Sequence, residues 1–162
     1  MEKISKIFKE YYSYLIIIVA VVLIRTFIVT PVIVNGSSME PTLNSGQVMF
    51  LWKMGDIERF DIVVIELDGE KLIKRIIGLP GETISYMSEI LYIDGEKLSD
   101  EYNDGSTYDF SEVTLGKNEY YVLGDNRGNS KDSRYFGPIS PSEIKGTVNF
   151  VLFPFTKFGI VK

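Results

Sequence analysis

The chain has no histidine and no cysteine. Without histidine there is no Ser-His-Asp triad and no histidine metal site. Without cysteine there is no thiol nucleophile, no structural zinc cluster and no disulfide. An acyl-transfer enzyme built from this chain must take its base from a lysine, a carboxylate or an amine. Cations are outnumbered by acids outside the first thirty residues. Lys3, Lys6, Lys9 and Arg25 face Glu2 and Glu10 there, net +2, while the rest of the chain carries −7 of the overall −5. An acidic body repels phosphate backbones, so nucleic acid is not an expected partner.

The 162 residues, 45% hydrophobic, suffice for one modest domain and one membrane segment. From Tyr11 to Val29 the only charge is Arg25. As a helix this stretch rises about 28 Å, close to the roughly 30 Å hydrocarbon core. Tyr11, Tyr12 and Tyr14 fall where an interfacial aromatic belt lies, and Lys3, Lys6 and Lys9 mark a cytoplasmic start. Arg25 can snorkel outward, and Pro31 is expected to stop the helix. Two other readings compete. A cleaved secretory signal has a similar shape, but Arg25-Thr26-Phe27-Ile28-Val29-Thr30-Pro31 offers no small-x-small cut. A buried core helix would also be rich in Ile and Val. The expected organisation is a cytoplasmic segment 1–10, one membrane span 11–29 and an extracytoplasmic domain 31–162.

After Pro31 the pattern changes to short runs of Val, Ile, Phe and Tyr broken by turn residues. Strands are predicted over 32–34, 47–53, 61–67, 72–78, 82–86, 90–93, 119–123 and 147–153. Asp68-Gly69 and Asp94-Gly95 are hairpin turns, and a helical turn is expected over 140–144. The fold class is therefore mainly β, as antiparallel sheets or a partly open barrel, with one N-terminal transmembrane helix. The acidic stretch 94–118 holds Asp100, Glu101, Asp104, Asp109 and Glu112. A calcium loop starting at Asp100 fails because Tyr102 and Ser111 occupy ligand positions. A solvated loop or small cap is expected, and no metal.

Three segments can carry chemistry. Asn35-Gly36-Ser37-Ser38-Met39-Glu40-Pro41 places small hydroxyls after a glycine, as a nucleophile requires; a plain Gly-Ser turn reads the same. In Lys71-Leu72-Ile73-Lys74-Arg75-Ile76-Ile77-Gly78, alternation puts Leu72, Lys74 and Ile76 on one face and Ile73, Arg75 and Ile77 on the other. A lysine between apolar neighbours can be desolvated, which lowers its pKa and fits it to take a proton from a serine. An edge lysine reaching solvent is the plain alternative. The loop from Gly124 to Gly137 packs Asp125, Arg127, Asp132 and Arg134 with Ser130 and Ser133. Their alternating signs suit a salt-bridged loop, although a flexible surface loop has similar composition.

In order, these segments resemble the signature boxes of the type I signal peptidase family, and Asp61-Ile62-Val63-Val64 resembles the remaining strand box. The Gly-Asp-Asn-Arg loop matches without departure. The resemblance implies Ser38 as nucleophile, Lys74 as general base and no cofactor. It implies that Ser130 hydrogen-bonds and orients the lysine, that Asp125 pairs with Arg75, and that Asp132 pairs with Arg134. The implied substrates are secretory preproteins with small residues, usually alanine, one and three positions before the cut. Shallow pockets near Ser38, at Gly36, Ser37 and Met39, would bind them beside a lipid bilayer. Gly36 stands where many Gram-negative members carry a serine that donates to the oxyanion; Gram-positive members are similar to this chain in having glycine and a single anchor. The oxyanion would then rest on the Ser38 backbone N–H, and one lost donor can cost about 3 kcal/mol.

Two other classes remain. Repressor-type self-cleaving Ser-Lys peptidases carry a DNA-binding module and no anchor. Inactive assembly factors of the same fold tend to lose the serine or the lysine, and both are present here. Phe150, Phe153, Phe155 and Phe158 with Trp52 form either an apolar surface for lipid or part of the core.

Overall fold

Helix α1 (Glu2–Phe27) is 26 residues long, a rise of about 39 Å. The structure is a computed structural model that describes residues 2–102 and 107–161, with α1 side chains described at 11, 12 and from 14 onward. The side chains of Lys3, Lys6 and Lys9, and the positions Asp104 and Gly105, lie outside the described set. Leu15–Ile24 present exposed apolar side chains except at Ala20, which is half-buried. Among the described residues no helix is long and apolar enough to cross a membrane.

The helix stops at Phe27 rather than continuing to Val29. Residues before a proline are disfavoured in the α region, and here they have a better use. Val29 and Thr30 open β1 (Val29–Ile33), which pairs with β2 (Val48–Trp52) from Val29↔Trp52 onward. The joint is tied from both sides. Lys53 Nζ donates to the Arg25 and Thr26 carbonyls at 3.2 and 2.9 Å, and Thr30 Oγ1 donates to the Arg25 carbonyl at 2.8 Å.

The chain continues through β3 (Ile62–Leu67), β4 (Glu70–Gly78), β5 (Thr83–Met87), β6 (Ile90–Ile93), β7 (Glu96–Leu98) and β8 (Phe110–Thr114). Then come β9 (Tyr121–Leu123), the short α2 (Ser133–Phe136), β10 (Ile144–Phe153) and β11 (Gly159–Ile160). Two antiparallel sheets result. The larger runs β1-β2-β10-β3-β4-β9 with β11 on β10, and no ladder joins β1 to β9, so it is an open sheet; the smaller runs β7-β6-β5-β8. The sequence Ile62-Val63-Val64-Ile65 is apolar without a break because both faces of β3 are covered. Ile62 and Val64 join a core with Met39, Leu43, Met49 and Val148. Val63 and Ile65 join Ile76, Val122 and Ile139 on the other side.

Asp68-Gly69 and Asp94-Gly95 close two-residue hairpins, with positive φ at both residues of each, the type I′ geometry that matches strand twist. The stretch 94–118 is less loop-like than its acidity implies. It contains β7 and β8, and Tyr86 and Leu91 with Phe110 and Val113 pack the small sheet's core. The expected turn at 140–144 is a 3-10 turn at Pro141–Glu143, capped by Ser140 and Glu143.

Candidate active site

Ser38 lies on the turn between β1 and β2. Val34 N–H donates to the Gln47 carbonyl and Gly46 N–H to the Val34 carbonyl, both at 2.8 Å, which closes the base of the turn. Gly36 has φ +85, a left-handed conformation that glycine adopts without strain. Met39 and Leu43 are buried in the core, and Leu43 N–H donates to the Met39 carbonyl. The turn is thus nailed down by its apolar members while Ser37 and Ser38 stay half-buried.

Lys74 sits in the middle of β4, opposite Val63, and is only 2% exposed. Its Nζ donates to Ser38 Oγ at 2.8 Å and to the Ile73 carbonyl at 2.9 Å. Burial pulls its pKa down to about 8, against the opposing pull of the Asp132 and Asp125 charges. Desolvation wins because an ammonium loses its hydration on one side, while each carboxylate is already engaged by an arginine.

Those two carboxylates hold the neighbouring loop. Asp125 takes two hydrogen bonds from Arg75, Nε to Oδ1 at 2.8 Å and Nη2 to Oδ2 at 2.6 Å, with both side chains buried. Arg75 Nη1 also donates to the Phe60 carbonyl at 2.7 Å, and the Tyr102 ring lies 3.4 Å from its guanidinium carbon. Asp132 accepts from Arg134 Nε and Nη2, both at 2.8 Å, and from Gly124 N–H at 3.1 Å. The loop grips the serine turn directly. Asn126 N–H donates to the Ser38 carbonyl and Asn126 Nδ2 to the Ser37 carbonyl, each at 3.1 Å, and Asn129 Nδ2 reaches Ser37 Oγ at 2.9 Å. Gly124 leaves no room for a side chain between the loop and the serine turn. A methyl group there would stand 2.3 Å from Ser130 Oγ and 2.4 Å from the Ser38 carbonyl oxygen.

The structure therefore brings Ser38 and Lys74 together, and Arg75 with Asp125, and Asp132 with Arg134. It does not join Ser130 to Lys74. Ser130 Oγ is buried with no hydrogen-bond partner, packed where the Gly124 backbone passes, and Lys74 Nζ is turned to Ser38 and Ile73 instead. Asn126 and Asn129 belong to the loop motif, but nothing in the sequence marked them as clamps on Ser37 and Ser38. Asp100 and Tyr102 were hidden in the acidic stretch. Among the described residues no group of three or more acidic side chains could hold a metal ion.

An open groove of about 330 Å³ leads to the pair. Pro31, Val32, Ile33 and Asn35 form one side, Leu72 and Ile73 the other, with Ser38 and Lys74 also in its lining. A serine hydroxyl bonded to a buried amine of lowered pKa, at a groove between strands, is the arrangement that Ser-Lys hydrolysis of an extended chain requires.

Known proteins show the family to which the chain belongs. The sequence pattern of the family described as signal peptidase, peptidase S26, matches residues 7–153. A signal peptidase I of Bacillus amyloliquefaciens is 42% identical, covering 93% of this chain and 88% of its own length. Signal peptidase I T of Bacillus subtilis is 40% identical, covering 91% and 86%. The crystal structure of a signal peptidase I from Enterococcus faecalis superimposes with a TM-score of 0.54 at 36% identity, over 58% of this chain and 97% of that one. The chain belongs to the signal peptidase family, peptidase S26, and is a peptidase.

Proposed function

We propose that the chain is a membrane-anchored serine endopeptidase that removes signal peptides from secretory preproteins by a Ser38–Lys74 dyad. The observation that carries this reading is the 2.8 Å contact between Lys74 Nζ and Ser38 Oγ, made by an amine whose pKa is about 8. In the neutral form Lys74 accepts the Ser38 proton as Oγ attacks the scissile carbonyl carbon. The tetrahedral oxyanion takes the Ser38 backbone N–H, which donates to no other group among the described residues. Collapse breaks the C–N bond, and the lysine ammonium returns its proton to the leaving amine. Water then attacks the acyl-serine with Lys74 again as base, releasing the signal peptide's new carboxylate and restoring Ser38. No cofactor enters these steps.

The preference for small-x-small sites, usually with alanine, rests on the family resemblance, with Gly36, Ser37 and Met39 flanking Ser38 in the chain. The supporting roles fall to Arg75, Asp125, Asp132 and Arg134, which hold the loop against the serine turn. Ser130 fills the space behind Gly124. Anchoring, with residues 1–10 cytoplasmic and the body extracytoplasmic, draws its support from the family resemblance and from the exposed apolar side chains of Leu15–Val19 and Val21–Ile24 on α1. Trp52, Phe153, Phe155 and Phe158, all exposed, favour a surface that leans on lipid. Tethering enzyme and signal segment to one bilayer raises their effective concentration.

Incubation of a preprotein with the detergent-solubilised chain tests the dyad. Ser38→Ala and Lys74→Ala are expected to abolish cleavage while keeping the fold. Wild-type turnover by either variant would overturn the assignment.

A further inference from the structure

The acidic stretch that failed as a calcium loop has another task. Asp100 and Arg127 form an ion pair of 2.7 Å with side-chain exposures of 3% and 0%. Tyr86 OH donates to Asp100 at 3.1 Å, and Arg127 Nη1 reaches Thr107 Oγ1 at 3.1 Å and Tyr86 OH at 3.4 Å. Arg127 Nε donates to the Gly124 carbonyl at 2.9 Å. The Arg127 carbonyl in turn accepts from Arg134 Nη2 at 2.7 Å, and Arg134 is the partner of Asp132, which holds Gly124 N–H. Both the N–H and the carbonyl of Gly124 are thus fixed by arms that meet at Arg127, and Asp100 seats Arg127. Gly124 is the residue with no room to spare against the Ser38 carbonyl. Two residues after Asp100, Tyr102 covers the guanidinium of Arg75.

We propose that Asp100 is a positioning residue: by seating Arg127 it holds Gly124 against the Ser38 turn and so keeps the hydroxyl within reach of Lys74. The proposal rests on the Ser38–Lys74 reading. Stability alone does not account for such a pair. Desolvating two charges is costly, and apolar residues of similar volume commonly replace a buried pair without loss, whereas removing one partner strands the other charge. What apolar residues lack is the directed bond from Arg127 Nε to the Gly124 carbonyl.

That difference supplies the test, made on the full chain in detergent with a soluble peptide carrying an Ala-x-Ala site. Asp100→Asn is expected to lower kcat roughly a hundredfold, the penalty of a displacement of about 1 Å at a reacting group, with KM within about threefold. The double variant Asp100→Leu/Arg127→Met is expected to regain the wild-type thermal midpoint but remain at least about tenfold low in kcat. A double variant that recovers both stability and kcat would reduce the pair to a structural element and overturn the proposal. So would an Asp100→Asn variant with wild-type kcat. A double variant that fails to fold also counts against it, because the pair would then serve the fold itself. Ser38→Ala run alongside separates the outcomes: an active Ser38→Ala sinks the dyad, whereas an inactive one beside a fully active Asp100→Asn sinks only the positioning role.

Discussion

Replacing Lys74 by methionine is expected to stabilise the protein at neutral pH while abolishing its activity. The Lys74 pKa falls from 10.5 to about 8 in the fold, and each unit corresponds to about 1.4 kcal/mol. The folded state therefore holds the proton less tightly than the unfolded chain. Below about pH 8 wild type carries the whole penalty, about 3 kcal/mol, and between about 8 and 10.5 the penalty fades as the unfolded state loses its proton too. Lys74→Met has no such term. It loses the hydrogen bonds to Ser38 Oγ and the Ile73 carbonyl, each contributing about 1 kcal/mol, but that loss is nearly independent of pH. The signature is thus a difference of differences. Relative to wild type, the variant should be about 2–3 kcal/mol better placed at pH 7 than at pH 10. Urea unfolding in detergent at the two pH values measures it. With slopes of about 1–3 kcal/mol per molar urea, the relative midpoint should move by roughly 1–3 M. An offset that is the same at both pH values would mean that Lys74 is not desolvated, and the reasoning would fail.

Cleavage of a soluble peptide by wild type should rise with pH through an apparent pKa of about 8, because the base is active only once Lys74 is neutral; a flat rate from pH 6 to 9 would assign the proton to another group. Gly124→Ala should cost about 1–3 kcal/mol in thermal unfolding and about a hundredfold in kcat, since its methyl meets the Ser38 carbonyl oxygen. Wild-type kcat in that variant would show that the loop does not hold the serine turn. Phe155→Ser/Phe158→Ser should weaken vesicle binding of the body with the helix removed, provided that body first proves folded by circular dichroism. Unchanged binding would return those rings to a purely structural role.

Much of the candidate site was legible because its residues sit in short motifs that resemble those of a known family. The Lys-Arg pair on one strand splits to opposite faces by the period of a β-strand, whereas their partners Ser38 and Asp125, 36 and 50 residues away, came from the family resemblance. The central strand at Ile62–Leu67 was equally plain, since a run buried on both faces is apolar throughout. What escaped the sequence depends on partners far away. The strands Glu96–Leu98 and Phe110–Thr114 are polar on their outer face and acidic in composition, so only their pairing and a few inward side chains, such as Phe110, identify them. Asp100 is unremarkable until Arg127 arrives beside it. The end of the helix shifted for the same reason. Val29 and Thr30 suit either state, and Trp52 and Leu51 across the ladder decide it. Ser130 is buried in the loop without a hydrogen bond to Lys74, because the direction of a hydroxyl depends on packing that no spacing records.

The lysine at position 53 has a consequence for how the molecule meets its surroundings. The final carbonyls of a helix ordinarily dangle toward water and let the rod swivel on its tether. Here the Lys53 cation, one residue past β2, occupies two of them, with the sign that the end of the helix favours, and a threonine hydroxyl shares one. Helix and body are thus joined by two exposed side-chain bonds from Lys53 as well as by the backbone bond from Lys53 N–H to the Ile28 carbonyl, so removing the lysine side chain would leave the backbone tie in place and return both helix carbonyls to water.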